Sequence, residues 1–420
     1  MGYETAKEDI MNAKRILSVF LSLLMLISLV GCEINKSSNV SGGKETVEPI
    51  QRTMIADNAH VKPIGRTYLD KDNVRWLVQS ASGIEFVTTG TSLSITLAGD
   101  NTAGGSDLGS MARYAIYVNG ERVIDKMMDA PEKEEKVPLS DGENIVTVLK
   151  LSESANSIMG ISKMSVIDTK DVFPTPESSL KIEFIGDSIT CGYGVDDENR
   201  DHHFSTMTED ATKAYAYKTA ELLGADYSLV SYSGHGIISA YTGDGSINTS
   251  GLVPGIYTQL GKTWNASNAV NVNEIKWDFK DFVPDVVVIN LGTNDSSYVR
   301  GDAAKARAYS DEYKVFLELI RKKNPDAHIV CTLGLMGADL YPAIETAVSE
   351  YSAESGDKNV SCFKLGQIRG DEGYAADWHP TEASQTRASR EMALYLISVI
   401  EEAKTLYNTR VAAGLIESLD

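Results

Sequence analysis

A serine follows a buried-type strand in Gly186-Asp187-Ser188-Ile189-Thr190, directly behind Ile182-Glu183-Phe184-Ile185. A Ser at a strand-to-helix turn presents its hydroxyl at the sheet's edge, and its own backbone N–H can face an oxyanion. The hydroxyl is a weak nucleophile until a base takes its proton. Helix N-caps also favour Ser, so the pentapeptide alone is ambiguous. A candidate base lies in Asp377-Trp378-His379-Pro380, just before a long helical stretch. There the imidazole can point back across strand ends, and a nearby Asp can hold its tautomer and stabilise imidazolium. Two further stretches could stabilise negative charge. Gly292-Thr293-Asn294-Asp295 follows an apolar strand and offers an amide N–H from Asn294. Ser231-Tyr232-Ser233-Gly234-His235-Gly236 places glycines where backbone can approach a ligand closely. Taken singly, the first reads equally well as an Asx-rich turn, and the second is the weakest of the four.

The elements expected to position these residues alternate strand and helix from residue 180 onward. Strands are expected at Leu180–Ile185, Tyr227–Ser231, Asp285–Leu291, His328–Leu333 and Val360–Leu365. Helices are expected at Thr208–Leu223, Ala303–Lys323, Tyr341–Ser352 and Glu382–Tyr407. That alternation implies an α/β fold with a parallel sheet covered on both faces, and ligands bind at the carboxyl ends of such strands. All four motifs fall at such ends. Residues 53–166 read differently, as short strands separated by turns. Ser92–Leu97 alternates cleanly, and Tyr114–Val118 meets Asn119-Gly120, a strong hairpin signal. A β-sandwich is expected there, with a proline-bearing linker at 167–179 and the α/β body at 180–420.

In order and placement, the four motifs resemble the blocks of SGNH/GDSL hydrolases over roughly residues 180–405. The resemblance implies a flavodoxin-like sheet with Ser188 as nucleophile, His379 as base and Asp377 as its orienter. It further implies an oxyanion hole formed by the N–H groups of Ser188 and Gly234 and the amide of Asn294. A β-sandwich leading into such a body, with Trp277-Asp278-Phe279 shortly before Pro284–Asp295 and with Ala214-Tyr215-Ala216 through Leu223–Tyr227, resembles carbohydrate esterase family 2. That implies removal of acetyl groups from xylan or glucomannan. Some members of that family lack the orienting Asp and work as a Ser–His dyad; with Asp377 present, a triad is expected here. Two other readings stay open: an SGNH esterase of other specificity, such as a lipase or peptidoglycan O-acetyl esterase, and a glycan-binding lipoprotein with an inactive esterase core. Trp378, Trp264 and Tyr193 are candidate sugar-stacking aromatics, each of which could instead be a core ring.

The remaining signals narrow the setting. The chain has 420 residues and a formal net charge of −20, which argues against a nucleic-acid partner. His202-His203 does not match a zinc motif, and neither a phosphate loop nor a dinucleotide fingerprint occurs, so no metal or cofactor is expected. Lys14-Arg15 precedes an apolar run from Ile16 to Val30 that ends at Gly31-Cys32. This reads as a signal peptide over residues 1–32. Leu29-Val30-Gly31-Cys32 resembles a bacterial lipobox, which implies lipidation of Cys32, an extracytoplasmic location and membrane contact through the lipid alone. An uncleaved membrane anchor is the alternative, and the true start is either Met1 or Met11. Residues 33–52 have little to bury and read as a tether. Cys331 and Cys362 are expected to be buried in strands as small hydrophobes.

Overall fold

The computed structural model describes residues 48–168, 170–264 and 270–419. The leader, Cys32 and most of the tether lie outside the described residues. Residues 48–408 and 419 make one compact unit, and residues 409–418 belong to a second.

The antiparallel strands run from Ile50 to Pro174, beyond both ends of the expected 53–166 stretch. They form two six-stranded sheets. One is ordered Thr67–Leu69, Arg75–Leu77, Met159–Asp168, Ser92–Gly99, Glu132–Val137, with Ile50–Met54 also on Met159–Asp168. The other is ordered Phe173–Pro174, Gly83–Thr88, Asn144–Lys150, Arg113–Val118, Glu121–Met127, with Lys62–Ile64 on Gly83–Thr88. Alternate side chains from both sheets meet in one core, among them Ile84, Phe86, Val146 and Val148 from one and Leu93, Ile95, Leu97 and Met164 from the other. Asn119 (φ 53°) and Gly120 (φ 81°) both take the left-handed conformation that a two-residue hairpin turn requires.

The third sheet has five parallel strands in the order Asp226–Ser231, Lys181–Gly186, Val286–Asn290, His328–Leu335, Val360–Gln367. In chain order this is 2-1-3-4-5, and the crevice falls where the order reverses, between the ends of Lys181–Gly186 and Val286–Asn290. Side-chain alternation sends Phe184 to one face, against Tyr215, and Ile185 to the other, in a cluster with Tyr309, Phe316 and Ile344. Helices Tyr215–Leu223 and Glu382–Val399 therefore cover one face, and Ala303–Lys323 and Tyr341–Ser355 cover the other. Cys331 and Cys362 are register partners on adjacent strands, the first buried and the second half-buried, both as free thiols.

Three helices depart from the expected bounds, one of them only by running three residues further, as Tyr341–Ser355. Asp210 caps a short 3-10 turn at Ala211–Lys213 and Ala214 is extended, so the expected Thr208 helix begins only at Tyr215. The last helix breaks at Ile400, which is extended (φ −121°, ψ 112°), and resumes as Glu401–Ala412.

The sandwich and the α/β body share buried contacts. Arg66, wholly buried, donates to the carbonyls of Tyr257 (2.6 Å) and Gln259 (2.7 Å) and pairs with Glu183 (3.3 Å). Its guanidinium lies over the rings of Tyr257, Trp277 and Phe279. Gln79 donates to the Tyr232 hydroxyl at 2.6 Å. Trp76, Val78 and Ile158 from the sandwich join Leu260, Val272, Trp277 and Phe282 in one apolar cluster.

Candidate active site

Asp187 caps the one-turn helix Ser188–Cys191 through the Ile189 N–H at 3.1 Å. The cap is therefore Asp187, and Ser188 is the first helical residue, with its hydroxyl left available for chemistry. Its N–H also lies outside the helical ladder, as the first N–H groups of any helix do. The Ser188 Oγ lies 2.8 Å from Nε2 of His379. A serine hydroxyl and an imidazole are thus in direct contact across 191 residues of sequence.

His379 is presented by an unusual turn. Asp377 (φ 48°) and Trp378 (φ 63°) both occupy the left-handed region, which costs of order 1–3 kcal/mol per non-glycine residue and typically persists at functional sites. The turn is held by Asp377 N–H to the His202 carbonyl (2.9 Å), His379 N–H to the Ala376 carbonyl (3.0 Å) and Ala375 N–H to the His379 carbonyl (2.9 Å). Thr381 caps the following helix, so Pro380 lies just outside it rather than in its first turn.

The expected Asp377–His379 hydrogen bond does not form. Nδ1 of His379 faces the Ala376 carbonyl at 3.1 Å. The left-handed backbone of Asp377 turns its carboxylate away, to the Tyr193 hydroxyl and to Nδ1 of His203 at 2.9 Å. Burial opposes the charge on Asp377, but hydrogen bonds from Tyr193 and His203 outweigh it and hold its pKa below the usual carboxylate value. Tyr193, expected as a sugar-stacking ring, is instead stacked on His379, with centroids 3.9 Å apart and planes 18° from parallel. Asp377 therefore reaches the imidazole indirectly, by anchoring the ring that packs on it. Burial pushes the His379 pKa down to about 4, against the pull of the Ala376 carbonyl and the Asp377 charge. The imidazole is neutral at pH 7 and able to accept a proton.

Gly234 follows the strand Asp226–Ser231 with φ 76°. A Cβ there would meet only open space, so glycine serves the conformation rather than the room. Its N–H has no acceptor among the described residues. Asn294 sits in the helix Thr293–Val299, where Nδ2 donates to the His235 carbonyl at 2.8 Å and, weakly, to Asp187 at 3.3 Å. The first contact orients the amide; the second is long enough to yield to a stronger acceptor. Burial, with the nearby Asp295 charge, raises the Asp187 pKa to about 7.

Asp295 was given no role of its own in the sequence. Its buried carboxylate accepts the N–H groups of Ile237, Ile238 and Ser239 at 2.8–3.1 Å and so holds the loop behind Gly234. Gln385 accepts the Tyr215 N–H and donates to the Ile189 carbonyl, tying the helix after His379 to the one bearing Ser188. Trp264 (57% exposed) and Trp378 (48% exposed) remain open to solvent. Trp264 neighbours His235, and Trp378 neighbours Tyr374 and carries Arg200 over one face at 4.0 Å.

The model of the GDSL-like Lipase/Acylhydrolase family matches residues 184–387, a stretch that contains Ser188, Gly234, Asn294 and His379. Residues 184–387 are a GDSL-like acylhydrolase domain. Together with its preceding sandwich, this domain is similar to the cellulase/esterase CelE of Acetivibrio thermocellus, 30% identical over 339 residues. That match covers 79% of this chain and 39% of CelE, so the chain spans about two fifths of that relative. It is 25% identical to an acetylxylan esterase / glucomannan deacetylase of Cellvibrio japonicus over 83% of this chain and 91% of the relative. A solved family two carbohydrate esterase from Clostridium thermocellum, in complex with cellohexaose, superposes with a TM-score of 0.70 at 26% identity, covering 81% of this chain and 99% of that one.

Proposed function

We propose that this chain is a serine esterase that removes O-acetyl groups from plant cell-wall polysaccharides such as xylan or glucomannan. The observation that carries this reading is the 2.8 Å contact between Ser188 and a neutral, buried His379, beside the unengaged N–H of Gly234. The Cellvibrio relative, matched over nearly its whole length, points to the acetylated substrate.

In this mechanism Ser188 Oγ attacks the acetyl carbonyl while Nε2 of His379 takes its proton. The carbonyl oxygen becomes an oxyanion held by the N–H groups of Ser188 and Gly234 and by Asn294, whose long contact to Asp187 gives way. The C–O bond to the sugar breaks, and His379 returns the proton to the leaving alkoxide. Water then attacks the acetyl-serine, giving its proton to His379, and acetate leaves as Ser188 is reprotonated. In this reading Trp378 and Trp264, both exposed, stack on sugar rings. The Cys32 lipid anchor is part of the same proposal and would hold the enzyme outside the cytoplasm; palmitate labelling lost in Cys32→Ser tests it.

The experiment is hydrolysis of p-nitrophenyl acetate, butyrate and octanoate, beside Ser188→Ala. Acetate selectivity abolished by the substitution, followed by acetate release from acetylated xylan or glucomannan, is the expected result. Activity that rises with chain length moves the assignment to a lipase, and activity indifferent to Ser188 removes the assignment altogether.

A further inference from the structure

The sandwich sends one loop, between the strands Asn144–Lys150 and Met159–Asp168, into the α/β body. Ser152, Glu153, Ser154 and Ala155 in it are all buried. The loop is pinned along its length: the Ala211 N–H to the Leu151 carbonyl (3.1 Å), Ser154 to the Lys262 carbonyl (3.0 Å), the Trp264 N–H to the Ala155 carbonyl (2.9 Å) and the Ile158 N–H to Asp100 (2.7 Å).

At its centre the Glu153 carboxylate makes two contacts with the active-site scaffold. Oε2 accepts the Ser233 N–H at 2.7 Å, and Ser233 immediately precedes Gly234. The same oxygen receives the Cys191 thiol at 3.6 Å, and Cys191 ends the one-turn helix that Ser188 begins. A single buried oxygen thus spans the two segments that carry the Ser188 and Gly234 N–H groups. Glu153 is itself held: its N–H donates to Glu209 at 2.9 Å, and the buried Lys150 ammonium is attracted to both carboxylates. Burial disfavours charge on all three groups and dominates, raising Glu153 and Glu209 above the usual carboxylate value and lowering Lys150 to about 8; Lys150 attracts both carboxylates, and the charge of Glu153 adds to the rise at Glu209. Glu153, Cys191 and Glu209 each bring a metal-type ligand atom within 4.8 Å of the others, and the Lys150 ammonium donates to the Ser152 carbonyl next to Glu153.

We propose that Glu153 is a positioning residue for ester hydrolysis, through which the β-sandwich sets the spacing of the two backbone N–H donors that receive the oxyanion. This rests on the assignment of Ser188 and Gly234 proposed above. It gives the sandwich a part in the reaction: an accessory loop completes the scaffold of the hole without touching substrate.

The test uses the full chain with Glu153→Ala, Glu153→Gln and Glu153→Asp. The readouts are kcat and KM on p-nitrophenyl acetate and the affinity of a small trifluoromethyl ketone. The ketone forms a hemiketal oxyanion with Ser188 and so reports the hole directly. Removing an oxyanion donor outright costs about 10²–10³ in kcat, so displacing one is expected to cost about 10–100-fold in Glu153→Ala, with KM changed by less than about 3-fold. The ketone should weaken by the same factor. Glu153→Gln, whose amide oxygen can still accept from Ser233, should recover most of the loss. Glu153→Asp keeps the carboxyl group but draws it back from Ser233 and should fall between; it decides the matter if the alanine variant does not fold. Folded Glu153→Ala or Glu153→Asp with wild-type kcat, or a fall in kcat with unchanged ketone affinity, overturns the inference. An inactive wild type removes the esterase reading and this inference with it, whereas an active wild type indifferent to Glu153 removes this inference alone.

Discussion

At the scale of residues, His379, the proposed base, is oriented by a carbonyl and a stacked ring. A carbonyl at Nδ1 fixes the tautomer of His379, but it brings no full charge to stabilise the imidazolium that forms as Ser188 attacks. Removing a directly bonded triad Asp costs about 10⁴ in kcat. Asp377 bonds Tyr193 and His203 instead, so Asp377→Asn should lower kcat/KM by only about 10-fold or less, read as initial rates on p-nitrophenyl acetate. A loss near 10⁴ would restore the direct triad. Tyr193→Phe keeps the ring on His379 and loses only the hydroxyl anchor, whereas Tyr193→Ala removes the stack; the first should stay close to wild type and the second should lose activity, with kcat rather than KM affected. The pH profile follows from burial. His379 must be neutral to accept a proton, and burial sets its pKa at about 4. The acid limb of kcat/KM should therefore bend near pH 4, with activity lost below that point and a plateau above it. A bend near the ordinary histidine value would mean that water reaches the ring in the free enzyme.

At the scale of elements, the strands and helices legible in the sequence were those whose apolar pattern is set by the sheet they serve. Val286–Asn290 is buried on both faces and reads as a continuous apolar run; Ala303–Lys323 is amphipathic and ends at Asn324-Pro325, and its bounds match the expectation. The strand Glu132–Val137 was not legible, because an edge position lets Glu132, Lys133, Glu134 and Lys136 occupy it, with only Glu135 and Val137 buried. In the candidate site, the placement of Ser188, Gly234 and Asn294 just past strand ends and of His379 just before the helix Glu382–Val399 was legible through their motifs. The destination of the Asp377 carboxylate was not, since it depends on two left-handed residues that no local pattern signals. Asp295 was hidden for a similar reason: its three acceptor bonds join Thr293–Val299 to a loop some 57 residues earlier. Asp295→Ala would strand three buried N–H groups, each worth about 1–3 kcal/mol when left unpaired. The variant should unfold at lower urea concentration than wild type and bind the trifluoromethyl ketone more weakly. Unchanged urea midpoint and ketone affinity would show that water substitutes for the carboxylate there.

At the scale of the whole molecule, the sandwich and the α/β body are joined by a buried charge. Arg66 leaves the sandwich and ends between Glu183, the strand that leads to Ser188, and the rings of Tyr257, Trp277 and Phe279. Glu183 also accepts from the Tyr257 hydroxyl at 2.6 Å, so the cation, the carboxylate and the phenol form one network on the floor of the sheet. Removing one partner of a buried pair typically costs about 3–5 kcal/mol, because the other is left charged and unpaired. Arg66→Met should therefore destabilise the protein by about that amount in urea. Near-UV circular dichroism and residual esterase activity should fall together, because the two layers also share the apolar cluster of Trp76, Val78, Leu260 and Trp277. Arg66→Met combined with Glu183→Gln should recover part of the loss, since the neutral amide no longer carries an unpaired charge. If activity survives to a higher urea concentration than the sandwich signal, the α/β body stands alone and the shared network is not what makes them one cooperative unit.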